Sequence, residues 1–78
     1  MSRFFVKASV RVAGTKVAAF IVGNHESYET AITHVRSTEL DRELDDMMLH
    51  VASMHDSDIA DLSVDRDIVY AETAERVL

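Results

Sequence analysis

Seventy-eight residues with 47% hydrophobic side chains fit one small folded domain, residues 1–78, and leave no room for a second core. The formal net charge of −6 comes with no cysteine and no proline, which excludes disulfides, thiolate metal sites and proline-rich linkers. No stretch approaches the roughly 18 apolar residues of a membrane span, and Lys7, Arg11 and Lys16 break up any secretory h-region. The expected location is therefore cytoplasmic, in the producing cell or in a host if the gene is mobile.

Residues 3–12 alternate strictly. Phe4, Val6, Ala8, Val10 and Val12 share one parity, and Arg3, Phe5, Lys7, Ser9 and Arg11 the other. Period two predicts a half-buried strand. Ala13-Gly14-Thr15 predicts a turn, and Lys16 to Val22 a second strand, apolar at nearly every position. A two- or four-residue loop would set Val17, Ala19 and Ile21 beside Val6, Ala8 and Val10, with Phe20 joining the basic face. A three-residue loop would set Ala18, Phe20 and Val22 there instead.

Asn24 and Ser27 are both good helix N-caps, and Tyr28, Ala31, Ile32 and Val35 follow at i, i+3, i+4 and i+7. Leu40, Leu44, Met47, Met48 and Val51 form a second helical stripe, centred about 140° around the axis from the first. One straight helix cannot aim both stripes at one core. A break near Arg36-Ser37-Thr38 is expected, with Thr38 or Ser37 capping a second helix that ends near residues 53–55. A single long helix bridging two partners is the alternative. Asp56-Ser57-Asp58 signals a turn. Ala60, Leu62 and Val64 then alternate with Asp61, Ser63 and Asp65, which predicts a third strand running to about Tyr70. Its neighbour, strand one or strand two, stays open, as does a frayed or helical tail over residues 71–78. In one version Asp67 caps a terminal helix. The expected class is α+β, a ββααβ domain with an N-terminal hairpin, two helices and a third antiparallel strand.

Charge is segregated. Residues 1–24 hold Arg3, Lys7, Arg11 and Lys16 and no acid, while every one of the 14 acids falls in residues 25–78. On the second helix Glu39, Glu43 and Asp46 form one carboxylate rail, and Asp41 and Asp45 a second. Asp61, Asp65 and Asp67 continue the acidic theme on strand three. Regularly spaced carboxylates can fill sites on basic proteins that otherwise hold phosphate, because arginine pairs with either anion. Glu39, Glu43, Asp46, Asp61, Asp65 and Asp67 are thus the candidate partner-binding residues.

Other chemistries have weaker support. Arg3, Lys7 and Arg11, with Phe5 between them, are the alternative candidates, for nucleic-acid binding. The acidic remainder of the chain argues against direct contact with phosphate. Leu40, Leu44, Met47, Val51 and Met54 step by 4, 3, 4 and 3, a dimer-seam spacing that serves equally as core. Asp46 and His50 are i, i+4, and Asp56-x-Asp58 loosely resembles a calcium loop without its glycine or its late glutamate. Neither makes a metal site. No Gly-x-Ser-x-Gly, phosphate loop or cysteine nucleophile is present, so neither an enzyme nor a cofactor is expected.

In size, charge, lack of cysteine and hairpin-then-helix order, the chain resembles small acidic phage and mobile-element proteins, among them the anti-CRISPR inhibitors. That resemblance implies a non-enzymatic inhibitor. It would dock on a host nucleic-acid-binding complex through acidic residues that take the place of nucleic acid. The partner would be a basic protein or nucleoprotein complex, with a homodimer and a small nucleic-acid-associated, antitoxin-like regulator as the other expectations.

Overall fold

The computed structural model describes residues 2–72. Strands β1 (Ser2–Val12) and β2 (Thr15–His25) are followed by helices α1 (Tyr28–Val35) and α2 (Thr38–Met54). A 3-10 turn, Ile59–Asp61, leads into β3 (Leu62–Glu72). The ββααβ order and the α+β class are those expected from the sequence. The sheet order is β2-β1-β3, with both pairings antiparallel. The third strand therefore joins the first, and β2 and β3 are both edges. Asp67 lies in mid-strand opposite Lys7, so it caps no helix. Ala71 and Glu72 extend β3, and the tail expectation for residues 73–78 lies outside the described residues.

The strict alternation of β1 decides the layering. Val6, Ala8 and Val10 are fully buried beneath the helices. Arg3, Phe5, Lys7, Ser9 and Arg11 therefore occupy the opposite face of the sheet, which no other element covers among the described residues. A thin slab of about two layers results, measuring 42 × 31 × 17 Å.

The hairpin loop has two residues, Ala13 and Gly14, at φ 50° and 86°. Two successive positive φ values match the right-handed twist of the strands, and Val12 pairs with Thr15. The expected register for a two-residue loop does not follow, however. A bulge at Val17 advances the pairing by one, so that Val10 meets Ala18 and Ala8 meets Phe20. Phe20 therefore faces the helices instead of joining the basic face, and Ile21 emerges beside Lys7. A second irregularity at Val22 shifts the pairing again, setting Gly23 against Val6. Both bulged valines pack against the core, which explains why β2 is apolar at both parities.

Two helices form because one cannot serve both stripes. Ser27 caps α1, its hydroxyl accepting from the Thr30 amide at 3.2 Å. Ser37, not Thr38, caps α2. Its Oγ accepts from the Leu40 amide at 3.1 Å and its hydroxyl donates to the His34 carbonyl at 2.8 Å. One serine thus satisfies orphan groups of both helix ends. Glu39 and Asp41 sit in the first turn of α2, where the helix dipole favours them.

Leu40, Leu44, Val51 and Ala52 are buried against the sheet, with Met47 and Met48 packed beside them. Leu40, Leu44, Met47 and Val51, the dimer-seam candidates, therefore serve the core of their own domain. A knob already buried inside its own domain cannot fill a hole in a partner, and only Met54 of that stripe is well exposed. The third strand also begins later than its alternation suggests. Asp58 accepts from the Ala60 amide at 3.1 Å and holds Ile59–Asp61 as a turn.

Candidate interaction surfaces

Helix α2 is anchored by Leu40, Leu44 and Val51, so the flank away from them is fixed in solvent. Glu39, Glu43 and Asp46 are exposed along that flank, with neighbouring side chains about 5–6 Å apart. None of the three makes an ion pair within the described residues. The other rail is different. Asp41 is held at 2.8 Å by the Arg66 guanidinium, whose second arm donates to the Val35 carbonyl at 2.7 Å. Arg66 lies opposite Ala8 on the helix-facing side of β3. It ties the last turn of α1 and the first turn of α2 to the sheet. Sequence patterning gave no sign of this role, because its partners meet only in the folded chain.

The six expected partner-binding acids do not form one surface. Glu39, Glu43 and Asp46 share α2, and Asp61 sits in the turn before β3. Asp65 and Asp67 pair with Ser9 and Lys7, which places them on the uncovered face of the sheet, away from the helices.

That uncovered face gathers Arg3, Lys7 and Arg11, as the alternation requires, but not as bare cations. Arg11 contacts Asp65 at 3.0 Å and donates to the Gly14 carbonyl at 3.3 Å. Arg3 donates to the Asn24 side-chain oxygen at 2.7 Å and reaches Glu26 at 3.3 Å. Lys7 lies directly across from Asp67. The acids of β3 thus offset much of the positive row of β1. Around these charges Phe5, Ala19, Ile21 and Val69 leave apolar area in solvent, with Ile21 61% exposed.

A third feature joins β2 to α1. His25 Nε2 and His34 Nδ1 are 3.0 Å apart, one ring nitrogen donating and the other accepting. Burial lowers the pKa of His25, and the adjacent His34 and Arg3 lower it further. Gly23 makes this approach feasible, since a Cβ there would lie 2.5 Å from His34 Nδ1. Nearby, Phe4 meets Tyr28 edge-on at 5.9 Å and Tyr70 at a tilt at 5.1 Å.

No three His, Asp or Glu side chains converge as metal ligands among the described residues, and no described helix is long and apolar enough to cross a membrane. Comparison with known protein families, curated proteins and solved structures finds no match.

Proposed function

We propose that this chain is a non-enzymatic interaction protein, of the phage-inhibitor kind, that binds a basic nucleic-acid-binding protein or nucleoprotein complex through α2. One observation supports the reading above others: Glu39, Glu43 and Asp46 form an exposed carboxylate row, without ion pairs among the described residues, on a helix whose other side is locked into the core. Rigid, regularly spaced anions suit arginines arranged to hold phosphates. Direct nucleic-acid binding through Arg3, Lys7 and Arg11 is the weaker reading, because two of those three cations already contact acids.

The test compares wild type with Glu43→Lys/Asp46→Lys as baits in host lysate at low and high salt. Wild type should retain nucleic-acid-binding proteins at low salt, release them to a polyanion competitor, and lose them as salt rises. The double variant should lose them at every salt. Equal retention by both proteins would remove α2 from the interface.

A further inference from the structure

The two edges of the sheet are not equivalent. β2 is interrupted twice by bulges, at Val17 and Val22, and bulged edges pair poorly with incoming strands. β3 is regular: all eleven of its residues pair with β1 without a shift. The direction of its backbone groups follows from the hairpin. The Val12–Thr15 pair closes a two-residue loop and is therefore hydrogen-bonded, so even-numbered residues of β1 bond to β2 and odd-numbered ones to β3. The Ala13 amide, which donates to the Asp61 carbonyl at 2.9 Å, obeys the same parity. On β3 the odd residues Ser63, Asp65, Asp67 and Val69 then bond inward. Val64, Arg66 and Ile68 aim their N–H and C=O groups outward, and no described backbone group beyond β1 meets them.

We infer that the outer edge of β3 is a docking site for an extended basic segment of a partner protein, added to the sheet as a fourth strand. The charges select the occupant. An added strand sets alternate side chains beside Asp65 and Asp67 on the uncovered face, and lysine or arginine there would meet carboxylates with lone pairs to spare after Arg11. Its other parity would lie beside Val64 and Ile68 on the helix side and should be apolar. In the register centred on Arg66, a second copy would set Arg66 against Arg66 and Asp65 against Asp67, like charges directly opposed, which a basic segment avoids.

This inference rests on the basic partner proposed above and names a second contact for it. Because β3's edge and α2's outer rail are separate surfaces, the two can fail independently. The probe is a seven-residue alternating Lys/Val peptide with blocked ends, and a Glu/Val peptide is its control. The Lys/Val peptide should bind roughly tenfold more tightly at low salt, as expected for two exchanged cross-strand charge contacts. Asp65→Asn/Asp67→Asn should abolish that preference. On binding, hydrogen exchange should slow at the Val64, Arg66 and Ile68 amides, while those of Ser63, Asp65 and Asp67 change little. N-methylation of the Arg66 amide by chemical synthesis leaves every side chain and the β1 ladder in place, and it should eliminate binding.

Absence of peptide binding would overturn the inference, as would binding that leaves the three outward amides unprotected or survives N-methylation. If capture of basic proteins still depends on Glu43 and Asp46 in that event, only the strand docking falls.

Discussion

Gly23 and His25 show how much a single position can carry here. A methyl group at Gly23 would collide with the His34 ring at 2.5 Å from Nδ1 and 2.7 Å from Cε1. The imidazole would have to swing away, breaking the 3.0 Å contact with His25. Gly23→Ala should therefore cost about 1–3 kcal/mol, the usual range for overpacking, in denaturant unfolding. Adding His34→Ala should recover most of the loss, and a double variant no more stable than Gly23→Ala alone would place the clash elsewhere. His25 makes a second prediction. Its folded-state pKa is lowered by burial, then by His34 and Arg3. The unfolded chain thus takes up a proton near pH 6.5 that the folded chain resists, and stability is lost as pH falls from there towards the lowered value. Thermal unfolding at about pH 7.5 and 5.5 should show a drop for wild type that shrinks in His25→Asn.

At the scale of elements, the junction between α1 and α2 is held locally by Ser37 and tied to the sheet by Arg66. Ser37→Ala removes the acceptor for the Leu40 amide and the donor to the His34 carbonyl, and should cost about 1 kcal/mol. Leu44→Ala leaves a cavity between α2 and the sheet and should cost about 2–5 kcal/mol, independent of protein concentration if the stripe is core and not seam. Chemical unfolding at two concentrations decides both. These elements also mark where sequence reading succeeds. β1 was legible because one parity is wholly apolar, and the helix break because two stripes point about 140° apart. The strand β2 was legible too, but its register was not, because two bulges turn both parities towards the core and cancel the alternation that would reveal it. The α2 rail followed from helical spacing alone. The outward face of Asp65 and Asp67 followed from their alternation with Leu62 and Val64, but the neighbour of β3 depended on a strand order that spacing does not encode, and Arg66 depended on a carbonyl and a carboxylate brought together only by folding.

The whole molecule is a thin plate with carboxylates along its helical side and mixed charges on its sheet side. Folding such a chain concentrates a net charge of −6 within 42 × 31 × 17 Å. Two electrostatic effects then oppose each other as salt is added. Screening weakens the ion pairs Arg3–Glu26, Arg11–Asp65 and Arg66–Asp41. At least one partner in each is well exposed, so each contributes about 0–1 kcal/mol at most. Screening also relieves repulsion among carboxylates that have no ion-pair partner among the described residues, including Glu39, Glu43 and Asp46, which folding holds at helical spacing. Fourteen acids against eight Lys and Arg leave more repulsion to relieve than attraction to lose. The melting temperature should therefore rise by a few degrees between about 0.01 and 0.2 M salt, where the Debye length shrinks from about 30 Å to under 10 Å. Glu43→Lys/Asp46→Lys, which changes the net charge from −6 to −2, should flatten that rise while leaving the fold unchanged by circular dichroism. A melting temperature that falls with salt in wild type would mean that the three ion pairs outweigh the rail.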